Sequence, residues 1–366
     1  MLENRVSRTL PDFPWDTLAD VTAMARAHSD GIVDLSVGTP VDDTPDVAQQ
    51  ALAANSNASG YPTVWGTSAL HQATIAYLQA RWGAPEMTER HVATAVGTKE
   101  VVGWLPTLLG LGADDLVVIP ELAYPTYEVG IVVSGARLQR CDTPDAVQGK
   151  PALIWINSPA NPHGHIMGVD ELRAWVDFAR QTGAVLASDE CYGEFGWDAE
   201  PVSVLDARVN GGRLDNLVGV FSASKRSNMA GYRAGFVAGD ADLVQELVAV
   251  RKHLGLIVSK PVQAALAAVL GDQAHVEVQR ERYARRRQAM RAALEGVGFR
   301  VDGSQGGLYL WATRDEPGRQ SVAWLAERGI LVAPGDFYGP TGAKHIRVAM
   351  TATDERIAAG VDRLTR

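Results

Sequence analysis

Leu217-Val218-Gly219-Val220-Phe221 runs straight into Ser222-Ala223-Ser224-Lys225-Arg226-Ser227-Asn228-Met229-Ala230-Gly231-Tyr232-Arg233-Ala234-Gly235. The first five residues form a near-continuous apolar run, as expected of a strand covered on both faces. A lysine just beyond the carboxyl end of such a strand sits where open α/β sheets bind their ligands. Its neighbours are small, hydroxylated or glycine, which lets a bulky ligand approach the backbone. Ser222, Ser224 and Arg233 are suited to surround one dianionic group, with Arg233 supplying a planar fork. A free lysine, with a pKa of about 10.4, is a poor nucleophile at neutral pH. Burial and cationic neighbours lower that value, and Arg226 and Arg233 flank Lys225 in sequence. The competing interpretation is a surface lysine in a Ser/Gly loop, so the rest of the chain has to decide.

Outward from this stretch, runs of the same apolar texture lie at 116–119, 152–156, 185–187 and 235–238. Amphipathic stretches at 98–111, 169–182 and 240–254 read as helices between several of them. This alternation predicts a mostly parallel sheet with helices on both sides. Beyond residue 260 the texture changes to a long charged helix pattern, 272–297, then to alternating pieces at 307–312, 330–332 and 345–350. A second, smaller α+β domain is expected there. The opening segment, 17–29 followed by 32–37, is cut off by Gly38-Thr39-Pro40 and is expected to pack on that second domain. The division is then 1–40 with the small domain, 41–260 as the large domain and 261–366 as the small one.

Composition narrows the function. The chain has 366 residues and is 46% hydrophobic, enough for about two domains with buried cores. Its net charge of −9 leaves no basic footprint for nucleic acid. The densest basic run, Arg280 to Arg291, has Glu277, Glu281 and Glu295 interspersed and reads as a solvated helix face. No stretch reaches the roughly 20 apolar residues of a membrane span, and Met1 to Asp16 lacks the apolar region of a secretory leader. Cys141 and Cys191 cannot make a disulfide framework, and neither belongs to a CxxC pair or a Cys/His cluster of metal spacing. A cytoplasmic protein without a metal site is expected.

Other strand ends carry further polar groups. Asp189-Glu190-Cys191-Tyr192 follows the run at 185–187. A buried acid needs a partner, and a protonated ring nitrogen supplies one that withdraws electrons from a bound substrate. Tyr192, three residues on, is placed to donate to an oxygen of the same ring. Asn157-Ser158-Pro159-Ala160-Asn161-Pro162-His163-Gly164 forms a third strand-end loop, in which an asparagine is suited to the same oxygen. Gly97-Thr98-Lys99-Glu100 opens a helix, so its backbone N–H groups can hold phosphate. Tyr124-Pro125-Thr126-Tyr127 offers a ring to stack on a flat ligand. His345-Ile346-Arg347-Val348-Ala349-Met350 sets an arginine in an apolar strand, where a carboxylate is its natural bidentate partner. Each piece alone has a structural alternative: a strand-end acid, a Pro/Asn turn, a helix cap, a core tyrosine, an internal ion pair.

Together and in this order, the segments resemble the fold-type I pyridoxal-phosphate (PLP) enzymes, specifically the class I/II aminotransferases, over essentially the whole chain. The resemblance implies an α/β fold whose large domain holds a mostly parallel seven-stranded sheet flanked by helices, beside a smaller α+β domain. It implies PLP as cofactor, carried by Lys225 as a Schiff base, with Lys225, Asp189 and Tyr192 as the catalytic set. Asp189 then pairs with the pyridine nitrogen, Asn161 and Tyr192 bind the ring oxygen, and Tyr124 stacks on the ring. Ser222, Ser224 and Arg233, with the backbone of Gly97, Thr98 and Lys99, form the phosphate cup. Arg347 holds the substrate α-carboxylate, with Asn161 and with Gly38 of Leu35-Ser36-Val37-Gly38-Thr39-Pro40 beside it. Tyr61 of Gly60-Tyr61-Pro62 matches a tyrosine that reaches a neighbouring subunit's phosphate, which implies a homodimer. Two positions depart from the pattern: His71, where relatives usually have Arg, and His163, where Thr is common.

Within the family, Asn157 to Gly164 and Ser222 to Gly235 look like the actinobacterial succinyldiaminopimelate aminotransferases of lysine and diaminopimelate biosynthesis. That likeness implies amino exchange between N-succinyl-LL-2,6-diaminopimelate and 2-oxoglutarate. Both carry a distal carboxylate, so a second cation is expected, with Arg26, Arg251, Lys252 and Lys260 as candidates. The rivals are an aminotransferase for aspartate, alanine or aromatic amino acids, a PLP-dependent β-lyase of cystathionine-like substrates, and a PLP-sensing regulator. The last would need a DNA-binding module, for which 1–30 is too short and too acidic. Residues 10–20, rich in Pro and Trp, suit a lid or a domain-swapped arm.

Overall fold

Leu153 and Trp155 pack into one apolar layer while Ile154 and Ile156, on the same strand, pack into another. This two-sided burial is why the run is continuously apolar instead of alternating. The computed structural model describes Ser7 and Thr9 to Thr365. Residues 1–6, 8 and 366 lie outside the described residues, and with them the first part of the leader reading and the extreme ends of the segments 1–40 and 261–366.

The strands, in chain order, are β1 (Val33–Asp34), β2 (Val92–Val96), β3 (Leu116–Ile119), β4 (Arg137–Arg140), β5 (Leu153–Asn157), β6 (Val185–Asp189), β7 (Leu217–Ser222) and β8 (Ala234–Gly239). They continue with β9 (Arg300–Asp302), β10 (Tyr309–Thr313), β11 (Ile330–Leu331), β12 (Ala333–Pro334) and β13 (Ile346–Ala349). Seven of them form the large sheet in the order β2-β8-β7-β6-β5-β3-β4. Strands β3 to β7 pair in parallel, whereas β8 runs against both of its neighbours, β2 and β7. The structure thus has the α/β architecture expected from the alternation of runs.

Helices cover both faces. On one lie the helices Ser68–Trp82, Val169–Thr182 and Lys260–Leu270, which bury Leu78, Trp175 and Leu266 against Ile154, Leu186 and Phe221. On the other lie Thr98–Leu108, Thr126–Ser134 and Ala241–Arg251, which bury Leu105, Ile131 and Leu247 against Val117, Trp155 and Val220. The helix expected at 98–111 stops at Leu108, because Gly110 takes a left-handed φ of 71° and turns the chain.

Strands β12-β13-β10-β9 form an antiparallel sheet, and β1 pairs in parallel with β11. Their core joins Val33 and Leu35 to Met290, Leu294, Leu310 and Val348, so the opening segment is held by residues near the other end of the chain. Trp15 lies 5.3 Å from Phe337, which itself packs beside Trp311 and Tyr338. A junction at 260/261 would cut the helix Lys260–Leu270 away from the large core that buries its Ala265, Leu266 and Val269. We propose the junction after Leu270 for that reason. Among the described residues, no helix is long and apolar enough to cross a membrane, and no group of three His, Cys, Asp or Glu is placed to hold a metal.

Candidate active site

Parallel register brings the polar strand ends together. Asn157 at the end of β5 lies opposite Asp189 at the end of β6, and Asp189 lies opposite Val220, two residues before Ser222 on β7. The reversed direction of β8 then does what parallel strands cannot. Its first residues meet the last residues of its neighbours, with Ala234 opposite Val96 and Gly235 opposite Ser222. Arg233, Gly97 and the Ser222 to Lys225 turn thereby converge. Ser222 Oγ accepts from Ser224 N at 3.1 Å and caps the short turn that carries Lys225. Gly97 has a φ of 70°, and a Cβ there would lie 2.6 Å from Arg233 Cζ, so only glycine leaves the cradle open. Arg233 is exposed and donates from Nη1 to Ala230 O at 2.9 Å. Thr98 is half-buried at the start of its helix, and Lys99 is exposed.

Asp189 is buried and, among the described residues, paired with no cation. Tyr127 Oη donates to its Oδ2 at 2.8 Å and Cys191 N to its Oδ1 at 3.2 Å. Burial raises its carboxyl above the ordinary value while these donors pull it back. Asn157 donates through Nδ2 to Asp189 O at 2.8 Å and accepts at Oδ1 from Asn161 N at 2.7 Å, so it ties the acid's strand to the loop of Asn161. Sequence patterning alone does not mark Asn157 or Tyr127 as functional. Their signal was an amide ending an apolar strand and a second tyrosine one helical turn after Tyr124. The Tyr124 ring is half-buried, edge-on to Tyr127 at 6.0 Å.

Arg347 reaches in from β13. Its Nη1 donates to Asn161 Oδ1 at 2.9 Å and its Nη2 to Ser36 O at 2.8 Å. The guanidinium lies 3.9 Å over the Tyr309 ring and 5.0 Å from that of Tyr338. It is buried, its Nε has no partner, and the groups that offset its burial are tyrosines, not carboxylates. This is not the internal ion pair that the sequence left open. A buried arginine with an unspent N–H is set up to receive an anion.

Lys225 Nζ donates to Gly38 O, which places Gly38 beside it. Burial, and then the positive charges of Arg347 and Arg233, bring its amine down to about 8, with Cys191 acting in the opposite sense. Arg226 does not take part. It follows Lys225 on a helical turn and so points elsewhere, donating to Glu194 Oε1 at 3.0 Å and Val269 O at 2.6 Å. Tyr192 is buried with its hydroxyl 2.7 Å from that of Tyr309, a residue that sequence patterning showed only as one member of an alternating strand.

Of the four candidates for the second cation, only Arg251 is buried in the single chain. Arg251 is spent on Glu100 at 2.7 Å and on Thr94 O, while Arg26, Lys252 and Lys260 are exposed. Tyr61 is 101% exposed in the single chain. His71 is buried against Trp65 O at 3.0 Å, and burial drives the His163 imidazole down to about 4, so it stays neutral.

Residues 30–364 match the profile of the family described as aminotransferase class I and II. The chain is 59% identical over 361 residues to the probable aminotransferase Rv1178 of Mycobacterium tuberculosis, covering 98% of this chain and 86% of that one. It is 54% identical over 359 residues to the 4-dedimethylamino-4-oxo-anhydrotetracycline transaminase OxyQ of Streptomyces rimosus, covering 98% and 100% of the two. A crystal structure of an aminotransferase from Neisseria meningitidis Z2491 superposes with a TM-score of 0.88 at 27% identity, covering 99% of both chains.

Proposed function

This chain belongs to the class I and II aminotransferases, whose cofactor is PLP, and we propose that it exchanges an amino group between N-succinyl-LL-2,6-diaminopimelate and 2-oxoglutarate. The observation that carries an α-amino acid substrate is Arg347, buried on a tyrosine face with no acidic partner and with one N–H unspent.

Three features fit PLP. Asp189 is a buried acid without a cation, which a ring nitrogen would provide. Gly97 lets the Arg233 guanidinium lie against its backbone at a helix start, where a cation and N–H groups suit an anion. Lys225 is a half-buried amine brought to about 8 and thus available as a neutral nucleophile. In this reading Lys225 holds the cofactor. Asp189 keeps the proton on its ring nitrogen, and Asn161 and Tyr192 hold its ring oxygen. Tyr124 faces the ring. Ser222, Ser224 and Arg233 hold the phosphate with the N–H groups of Gly97, Thr98 and Lys99, and Tyr61 reaches the phosphate of the partner in a homodimer. When bound, PLP supplies an electron sink for charge at the substrate Cα. Lys225 moves the proton at that Cα, and Arg347, with Gly38 and Asn161, orients the carboxylate.

The substrate pair rests on the likeness of Asn157 to Gly164 and Ser222 to Gly235 to succinyldiaminopimelate aminotransferases. A second reading, amination of a ketone on a fused-ring substrate, is favoured by the 54% identity to OxyQ. The deciding experiment follows the visible absorption of the purified protein during titration with glutamate and, separately, with N-succinyl-LL-2,6-diaminopimelate. Bleaching by both and recovery with 2-oxoglutarate is the expected result. A band that neither compound changes removes the substrate pair, and product formed without any 2-oxo acid would point to β-elimination instead.

A further inference from the structure

Tyr309 touches three of the residues assigned above and is assigned nothing itself. Its hydroxyl meets that of Tyr192 at 2.7 Å, and its ring face lies 3.9 Å from the Arg347 guanidinium. It also fills the space over Gly38, where a Cβ would come within 2.6 Å of its Cε1 and Cζ. It is 4% exposed and sits on β10, one strand from Arg347 in the antiparallel sheet. The charged and titratable groups that face it are Arg347, Tyr192, Cys191, Tyr124, Tyr283 and Tyr338.

Two phenols that share one hydrogen bond hold two protons, of which the contact uses one. Burial pushes both hydroxyls above the ordinary tyrosine value, so both stay protonated at neutral pH. If Tyr192 donated to Tyr309, its proton would be unavailable to anything else. If Tyr309 donates, the Tyr192 proton is free, and Tyr192 becomes the stronger donor because its oxygen is already accepting. Only the second arrangement suits a Tyr192 that binds a ring oxygen.

We propose that Tyr309 is a positioning residue with two separable parts: its hydroxyl donates to Tyr192 and keeps the Tyr192 proton aimed at the cofactor, while its ring fixes the Arg347 guanidinium for the substrate carboxylate. This rests on the aminotransferase assignment of Tyr192 and Arg347. It gives Gly38 a physical reason as well, since any larger residue there would displace the ring.

The test uses the cofactor-loaded enzyme and the variants Tyr309→Phe, Tyr309→Leu, Tyr192→Phe and the double Phe variant. Tyr309→Phe loses only the hydroxyl. The pH midpoint of the visible band should rise by about half a unit, the size of one neutral hydrogen bond, because a weaker Tyr192 donor leaves the ring oxygen more basic. KM for glutamate should stay within about twofold. Tyr309→Leu also loses the aromatic face, and KM should rise by about five- to tenfold. Tyr192→Phe should shift the midpoint in the same direction, and the double variant should shift it no further. A residue that merely packed would lower the melting temperature without moving the midpoint. An unmoved midpoint in Tyr309→Phe, additive shifts in the double variant, or a wild-type KM in Tyr309→Leu each overturn the proposal. A wild-type protein that shows no visible band overturns the underlying aminotransferase assignment instead, and this proposal with it.

Discussion

Arg347 on the small antiparallel sheet donates to the side-chain oxygen of Asn161, in a loop of the large sheet, at 2.9 Å. The residue proposed to receive the substrate is therefore oriented by a residue proposed to hold the cofactor, and both are supported from behind by Asn157 and Ser36.

Arg347→Lys keeps the charge but loses the planar fork, the tie to Asn161 and the flat contact with Tyr309. We expect kcat/KM for amino donors to fall by about 100-fold or more, with cofactor binding retained. Steady-state kinetics with glutamate, beside the visible spectrum, separates the two effects.

Lys225→Ala should abolish turnover and still bind some PLP, because Asp189, Arg233 and the Gly97 cradle remain. The measurements are activity and retained cofactor after gel filtration. Wild-type rates in this variant would remove Lys225 from its role.

In cofactor-free protein the Lys225 amine titrates at about 8, against 10.5 in an ordinary lysine. Between those values the unfolded chain binds more protons than the folded one, so this residue makes stability increase with pH across that window. Below it, the cost of burying the charged amine is fully present. Lys225→Met should accordingly be more stable than the wild-type cofactor-free protein at pH 7, and its advantage should shrink toward pH 10.5. Urea midpoints across that range decide it; a constant difference would contradict the shift.

Tyr127→Phe removes the hydroxyl that donates to Asp189 Oδ2 and leaves a buried carboxylate oxygen without its donor. A loss of about 1–3 kcal/mol in the cofactor-free protein is expected from chemical denaturation. The Asp189 carboxyl should also move further upward, in the direction burial already drives it.

Arg226→Met should act on stability and not on the chemistry of Lys225. Arg226 and Glu194 form a buried pair at 3.0 Å, joined by Arg81 and Tyr77. Removing one partner of such a pair costs about 3–5 kcal/mol. The pH midpoint of the visible band should match wild type.

The strand ends were legible because each follows a near-continuous apolar run, and such runs mark buried parallel strands whatever their order. Lys225, Asp189 and Arg347 stood out for the same reason, as charged groups where burial makes charge expensive. What the sequence did not show was direction. Nothing in Gly235-Phe236-Val237-Ala238 says that β8 runs against its neighbours, yet that reversal sets Arg233 beside Gly97. Side-chain aim was equally hidden. Arg226 and Arg233 read alike along the chain, and only folding turns one toward Glu194 and the other toward the cradle. Arg251 is paired with Glu100, 151 residues away in sequence on another helix, a partner that no local pattern names. Tyr309 and Tyr192 meet across the boundary between the two sheets, a contact that no local period encodes.

The pairing of Val92 with Ala238 has a consequence for how the enzyme is made. A ribosome releases β2 and the Gly97 cradle long before it has synthesised β8, the only strand that β2 pairs with in the sheet. While residues 97 to 233 are being added, the nascent chain therefore carries an unpaired strand edge. In the proposed site, cofactor capture waits until Lys225 and Arg233 have both left the exit tunnel.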